Sequence, residues 1–338
     1  MIWLNIYFLA RTNCTSIVLI KSLQSILVHL AYSMGVSTDS PRSSATQDRR
    51  AAADGYHRES FQRASLLDRY LVIGNPVAHS RSPEIHSHFA RQTGQSISYG
   101  RLLVEPGDFA RAAAAFFSGD GCGANVTLPF KGDAYAYAES RTDRAEEAQA
   151  VNTLLRRGDG VIVGDNTDGA GLVRDLIVNL GCPLAGRRIL IVGAGGAARG
   201  VVGPLLREQP AELVVANRTA SRAEALAQRF GQRGPIRGRG LGPVDGPFDI
   251  VIHASSSGTR GEAPALPAGA IGPATFAYDM AYGASAAPFA ALALAGGAGS
   301  IADGLGMLVE QAAESFELWR GVRPLTAPVI AQLRESLA

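Results

Sequence analysis

The chain has 338 residues, of which 46% are hydrophobic and 39 are glycine, and its formal net charge is +2. That length suits one large core or two ordinary ones, with two domains the better expectation, and the near balance of charge excludes a general attraction to nucleic acid or an acidic membrane. Three cysteines, at 14, 122 and 182, are an odd number without CxxC spacing, which argues against a disulfide framework or a zinc site and fits a reducing cytoplasm.

In chain order, residues 1–38 contain no acid, and 1–30 are apolar but interrupted by Arg11, Asn13 and Lys21. Those breaks leave the stretch short of a membrane span. It could be a signal or transit segment. A misassigned start, with Met34 as the true one, is preferred, because 39–69 then read as a polar, Arg-rich, disordered tail. On this reading residues 1–69 contribute nothing to the fold. A strand is expected over 71–74, turning at Asn75-Pro76, and Pro83 suits the first turn of a helix that begins after Ser82. Ser80 and Ser82, bracketing that start, serve as helix caps or as ligands for a carboxylate or polyol. His79, His86 and His88 lack the i, i+4 spacing of a helical ligand pair, so they are expected to be structural or surface groups, with no metal bound.

Thirty-two residues are Lys or Arg, yet lysine occurs only at Lys21 and Lys131. Arginine carries surface charge as well as lysine does, but only the amine can have its pKa lowered by burial and take part in proton transfer. Lys131 closes the run 123–131, GANVTLPFK, which predicts a strand ending in a loop that presents the amine. Residues 150–154 and 164–169 place Asn152 and Asp168 beside apolar strands, and each segment taken singly is as readily a turn. With Lys131 they supply an amine, an acid and neutral donors, a set suited to a small hydroxylated acid.

Residues 187–192 (RRILIV) form a continuous β-branched run, as in a parallel strand buried on both faces, and Gly193-Ala194-Gly195-Gly196-Ala197-Ala198 follows at once. This G-x-G-x-x-A turn, in its strand-to-helix context, predicts a dinucleotide site. A second strand, 212–216, ends not at an acid but at Asn217-Arg218-Thr219, with Arg222 one turn on. An acid would repel a 2′-phosphate and arginines would pair with it, so NADP is favoured over NAD. The stretch 231–240, with Arg233, Arg237 and Arg239, reads as a solvated Gly-rich connection. Further strands are expected over 248–253 and 276–280.

These motifs, together with Asp303-Gly304-Leu305-Gly306-Met307, resemble the shikimate dehydrogenase family from about Tyr70 to the C-terminus. The resemblance implies an α/β fold in which an N-terminal α/β substrate domain carries an inserted Rossmann-like NADP-binding domain, with C-terminal helices, one bearing Gln311, returning to the substrate domain. The implied division is 1–69 as extension, 70–168 plus 303–338 as substrate-binding catalytic domain, and 169–302 as NADP-binding domain.

Carried over residue by residue, the resemblance implies that Ser80 and Ser82 hold the shikimate carboxylate with Tyr282 nearby. Thr127, Asn152 and Gln311 would hold ring hydroxyls, and Lys131 and Asp168 would flank the reacting carbon. Gly193, Ala194, Gly195, Gly196, Ala197, Asn217, Arg218, Thr219, Arg222, Met280 and Gly304 would bind the cofactor. The implied reaction is reversible NADPH-dependent reduction of 3-dehydroshikimate to shikimate, by a cytoplasmic monomer or homodimer of aromatic amino-acid and chorismate biosynthesis, without nucleic-acid or membrane partners. Which of Lys131 and Asp168 gives the proton is left open, since an ion pair keeps the amine charged while burial favours its neutral form. His253 and Ser255 stand where the family usually has Asn and Thr, and Ala287 where Thr is usual, which bears on cofactor contacts. The alternatives are a quinate/shikimate dehydrogenase of broader substrate or NAD use, and a non-catalytic NADP-responsive regulator.

Overall fold

The computed structural model describes residues 67–255 and 262–337, and residues 67–338 form one compact unit. Of the expected extension over 1–69, all but the last three residues lie outside that range. Those last residues correct the reading. The first strand begins at Asp68 rather than after residue 69, because its polar end sits at the sheet margin, where Asp68 pairs with Arg320 and Arg69 with Asp120.

The chain opens with β1 (Asp68–Gly74), α1 (Ser82–Thr93), β2 (Ile97–Leu103), α2 (Phe109–Ser118), β3 (Gly121–Val126) and α3 (Lys131–Tyr137). It continues through β4 (Ser140–Arg141), α4 (Asp143–Ala148), β5 (Thr153–Arg156), β6 (Ile162–Asp165) and α5 (Asp168–Arg174), which runs into a π-helical turn, Asp175–Asn179. The six strands form one sheet in the order β2-β1-β3-β5-β6-β4, in which only β5 runs against the others. Lys131 is the first residue of α3, not part of the loop expected there, so its amine stands at a helix start directly after the turn 127–130.

The second sheet is built from β7 (Arg188–Val192), β8 (Glu212–Ala216), β9 (Ile236–Arg239), β10 (Ile250–His253), β11 (Phe276–Asp279) and β12 (Ser300–Asp303). It is parallel throughout, with order β12-β11-β10-β7-β8-β9. Helices α6 (Gly196–Arg207) and α7 (Ala220–Phe230) follow β7 and β8, and α8 (Ala287–Ala295) precedes β12. The alternation of strand side chains is visible in the packing. Ile189, Ile191, Leu213 and Val215 enter one core with Val201 and Leu205 of α6, while Leu190, Val192, Val214 and Ala216 enter the other with Phe248 and Phe289. A strand buried on both faces has no polar side, which is why 187–192 reads as a continuous apolar run.

Two expectations for this sheet are corrected. The Gly-rich segment 231–240 is not wholly a solvated connection, since Ile236–Arg239 pairs with β8 as the sheet's edge. Its arginines tolerate the edge because Arg237 pairs with Glu212 and Arg239 donates to the carbonyls of Gly240, Gly242 and Pro243. Beyond 276–280 there is also a sixth strand, β12, at the opposite edge, where Ser300 and Ile301 are exposed and leave little apolar signal.

The chain then returns to the first sheet. Helices α9 (Leu305–Arg320) and α10 (Ala327–Leu337) share a core with α1, joining Ile85 and Phe89 to Val309, Phe316 and Leu333. Helix α5 passes between the two sheets and lies close against α9. A side chain at Gly171 would come within 2.7 Å of Gln311 Cβ and 2.9 Å of the Met307 carbonyl, so only glycine lets Gln311 approach the start of α5, where Asp168 sits.

Candidate active site

Four side chains, from α3, α5, α9 and the turn before β5, meet at the carboxyl end of the first sheet. Lys131 Nζ donates to Asp168 Oδ2 at 2.5 Å, with 17% and 7% of the two side chains exposed. Asp168 Oδ1 accepts from Asn152 Nδ2 at 2.9 Å, and that same amide reaches Gln311 Oε1 at 3.2 Å. Asn152 Oδ1 accepts from the Thr167 N–H at 2.8 Å, and Gln311 Nε2 donates to the Leu308 carbonyl at 2.8 Å. Asn152 is thus held at both ends and fixes Asp168, which in turn fixes the lysine.

A buried ion pair supports this segment from behind. Asp165 accepts from Arg144 at 2.7 and 2.5 Å and from Thr142 at 2.5 Å, and it holds the Asn166 N–H at 2.7 Å. Burial works to raise the pKa of the Asp165 carboxyl, but the hydrogen bonds and charge of Arg144 outweigh it and keep the group below the ordinary value. An ionised Asp165 therefore anchors the loop that leads to Asp168.

Ser80 and Ser82 are brought together, with Ser80 Oγ 3.2 Å from Ser82 Oγ, and Arg101 pins the Ser80 carbonyl at 2.6 Å. Ser80 Oγ accepts from the N–H of Ser82, the first residue of α1, at 3.3 Å, while Arg81 at the cap position makes no side-chain cap bond. Thr127 lies in the turn after β3, its N–H bonded to the Ile73 carbonyl at 2.9 Å. Tyr282, half-buried after β11, packs on the core shared by α1 and α9.

Two residues without a sequence assignment join these groups. Tyr99 donates to Asn125 Oδ1 at 2.6 Å. Asn125 Nδ2 donates to Ser315 Oγ at 2.9 Å and Thr153 Oγ1 at 3.2 Å. A polar chain therefore runs from Tyr99 through Asn125 and Thr153, which donates to Asn152 Oδ1 at 3.0 Å, to the Asn152–Asp168–Lys131 cluster. Asn125 carried a signal, as a polar residue at an alternate position of an apolar strand, whereas Tyr99 in a half-polar strand carried none. Among the histidines, His86 is buried, stacked on Tyr99 at 4.3 Å, and burial lowers its pKa to about 3.

The carboxyl rim of the second sheet has a different character. Gly193 follows β7 with φ 123°, a conformation open to glycine, and a Cβ there would lie 2.8 Å from the Ala254 carbonyl. Gly195 stands at the start of α6, where an added Cβ would meet nothing within 4 Å. That open approach to a helix N-terminus fits a pyrophosphate. Ala194 and Ala197 line the same turn, half-buried, beside Gly196. At the end of β8, Asn217 Nδ2 donates to the Thr219 carbonyl at 2.9 Å, while Arg218 and Arg222 are exposed beside it. Met280 and Gly304 end β11 and β12, with the Met280 N–H on the His253 carbonyl at 3.0 Å and the Gly304 N–H on the Ala281 carbonyl at 2.8 Å. The donors present, backbone amides for phosphates and free guanidinium groups beside the second strand, fit NADP.

A parallel sheet with a Gly-rich turn at its switch point, facing a buried amine and carboxylate on a second sheet, defines a dinucleotide-dependent oxidoreductase fold. Family models match in three segments: shikimate dehydrogenase substrate binding domain at residues 72–154, shikimate / quinate 5-dehydrogenase at 177–260, and shikimate 5′-dehydrogenase C-terminal domain at 304–334. A shikimate dehydrogenase (NADP(+)) from Chromobacterium violaceum is 54% identical over 274 residues, 81% of this chain and 100% of the relative. Among solved structures, an Ael1 enzyme from Pseudomonas putida matches with TM-score 0.73 and 45% identity, over 79% of this chain and 98% of that one. A shikimate 5-dehydrogenase from Thermus thermophilus, in complex with NADP(H) and shikimate, matches with TM-score 0.67 and 30% identity, over 80% and 100%. The chain belongs to the shikimate dehydrogenase family.

Proposed function

We propose that this chain is an NADP-dependent oxidoreductase acting on a CH–OH group, the reversible reduction of 3-dehydroshikimate to shikimate, in aromatic amino-acid and chorismate biosynthesis. The observation that carries this reading is the Lys131–Asp168 pair, 2.5 Å apart and locked by Asn152 and Gln311. The turn 193–197 with Asn217, Arg218, Thr219, Arg222, Met280 and Gly304 would hold NADPH, which would supply the hydride when bound. Reduction builds negative charge on the carbonyl oxygen, and an ammonium within hydrogen-bonding distance stabilises it and hands over the proton. Lys131 takes that role, and Asp168 keeps its amine aimed. Ser80, Ser82 and Tyr282 receive the substrate carboxylate, while Thr127, Asn152 and Gln311 receive the ring hydroxyls.

We assign 70–168 and 303–338 to substrate binding and 169–302 to NADP binding. Two free thiols, Cys122 and Cys182, suit a reducing compartment, so we assign the enzyme to the cytoplasm, as a monomer or homodimer. Among the described residues no helix is long and apolar enough to cross a membrane. Initial rates with shikimate and quinate, each against NADP+ and NAD+, test the reading. Fast turnover with shikimate and NADP+ alone is expected. Comparable rates with quinate or NAD+ would replace it with the broader dehydrogenase, and NADP+ binding without turnover would replace it with the regulator.

A further inference from the structure

The helix that begins at Asp168 leads to a second buried carboxylate, which the reaction above does not use. Asp175 stands about two turns beyond Asp168, where α5 passes into the π-helical turn, and it is 2% exposed. Tyr278 of β11, fully buried, donates its hydroxyl to Asp175 Oδ2 at 2.7 Å, and Asn179 Nδ2 donates to Oδ1 at 2.9 Å. A Cβ at Gly306 would lie 1.9 Å from Oδ1, so only glycine lets the first turn of α9 sit against this carboxylate. Asn179 also reaches Glu310 Oε1 of α9 at 3.2 Å, and the buried Glu310 is held by Arg174 and Arg323 at 3.0 Å each and by Thr326 at 2.6 Å. Leu172 and Leu176 close the surroundings in one core with Tyr278 and Met307. Burial and the charge of Asp175 raise the Tyr278 pKa well above that of an ordinary phenol, so the hydroxyl keeps its proton and donates.

Each element gathered at Asp175 carries part of the proposed site. Helix α5 begins with Asp168, β11 leads from Tyr278 to Met280 and on to Tyr282, and α9 follows Gly304 and bears Gln311. The Tyr278–Asp175 bond therefore joins the helix that presents the catalytic carboxylate to the strand whose end would meet the cofactor. We infer that Asp175 and Tyr278 are positioning residues for the hydride step, and that their bond sets the separation between a cofactor on the second sheet and the Lys131–Asp168 pair on the first. Tyr278 acts through Met280 and Tyr282, and Asp175 through Asp168 and the start of α9. A misplacement of about 1 Å can cost about 10²-fold in rate, and a buried hydrogen bond between two packed elements resists such a shift better than apolar contact does. This inference rests on the proposed reaction and deepens the reading of its site.

The test is single-turnover mixing of the enzyme–NADPH complex with excess 3-dehydroshikimate, followed as loss of NADPH absorbance, beside titration of NADPH onto the free enzyme. Tyr278→Phe keeps the buried ring and removes only the donor. It should slow the hydride step by about tenfold, within what a sub-ångström misplacement costs, with the dissociation constant for NADPH and the KM for substrate nearly unchanged. Asp175→Ala should slow it at least as much, whereas Asp175→Asn keeps an acceptor for the phenol and should retain more of the rate. Combining Tyr278→Phe with Asp175→Ala should be no slower than Asp175→Ala alone, because both remove the same bond. NADPH carrying deuterium at the transferred position should slow Tyr278→Phe further, which marks the affected step as hydride transfer. In the cofactor-free protein, amide exchange in Tyr278→Phe should rise over 175–179 and 278–282 and stay at the wild-type level over 188–207. An unchanged hydride rate in Tyr278→Phe overturns the inference, as does a slower rate without a deuterium effect, an equal loss of NADPH affinity, or unchanged exchange over 278–282. So does an Asp175→Asn enzyme no faster than Asp175→Ala. Where Asp175→Ala does not fold, Tyr278→Phe alone decides. A wild-type enzyme that leaves 3-dehydroshikimate unreduced sinks the proposed reaction and this inference with it, while an active wild type matched by Tyr278→Phe sinks the inference alone.

Discussion

The carboxyl rims of the two sheets solve different problems. On the first, the functional side chains are buried and bonded to one another: Asp168 and Asn152 are 5% and 2% exposed, and each is held by neighbours from other elements. On the second, the groups facing the crevice are backbone amides and exposed arginines, with Arg218 and Arg222 held out at the end of β8. A mutually bonded cluster is costly to assemble but does not reorganise when charge develops, which suits a reacting centre. An open rim of amides and guanidinium groups gathers anions. The contrast predicts that changes at the first rim act on rate and changes at the second on affinity.

The sharpest way to break that division is Lys131→Ala. Loss of the only cation in the cluster should lower kcat by about 10²–10⁴-fold, the range for a positioned proton donor, while the dissociation constant for shikimate, measured calorimetrically, changes little. Near-normal turnover would remove Lys131 from the mechanism. At the second rim, Arg218→Ala combined with Arg222→Ala should weaken NADP+ by about 10²- to 10⁴-fold and leave NAD+ binding nearly unchanged, since charge-assisted bonds to the 2′-phosphate contribute about 1.5–3 kcal/mol each. Equal losses for both cofactors would assign the arginines elsewhere. Gln311→Ala tests the seam between the return helix and the cluster. It removes the Asn152 and Thr167 contacts and should raise KM for shikimate by about 5- to 10-fold, with little change in NADP+ affinity.

The same contrast explains what the sequence made legible. The second sheet was readable almost strand by strand, because a parallel strand buried on both faces leaves an unbroken apolar run and its phosphate turn demands glycine. Its edges were not: β9 carries Arg237 and Arg239, and β12 begins with exposed residues, so neither has a buried period to detect. On the first sheet, Lys131 stood out only through the scarcity of lysine, and Asp168 and Asn152 only through turn-like motifs that the resemblance tied together. Tyr99 and Ser315 gave no signal, because their roles come from hydrogen bonds to Asn125 made across 26 and 190 residues. Pairings of that span are set by tertiary packing, not local pattern.

The smallest expected effect lies behind the first rim, at His86. Its ring is buried against Tyr99, Phe89, Phe316 and Trp319, and both ring nitrogens lack hydrogen-bond partners. Burial lowers its pKa from 6.5 to about 3. Between those values the unfolded chain binds a proton that the native state refuses, so stability is lost as pH falls through that window, at about 1.4 kcal/mol per pH unit, and the loss levels off below the native value. From pH 7 to pH 5 this one residue should cost about 2 kcal/mol. His86→Phe keeps the aromatic packing and has no proton to bind, so its urea-unfolding free energy should fall by about 2 kcal/mol less than that of the parent over the same interval. Asp165 titrates in the same sense but lower, since its native pKa is depressed and its contribution persists until the pH falls below the ordinary carboxylate range. A variant whose acid limb above pH 5 parallels the parent's would show that the ring reaches solvent or a proton acceptor in the native state, and would overturn its burial in the aromatic cluster behind the first rim.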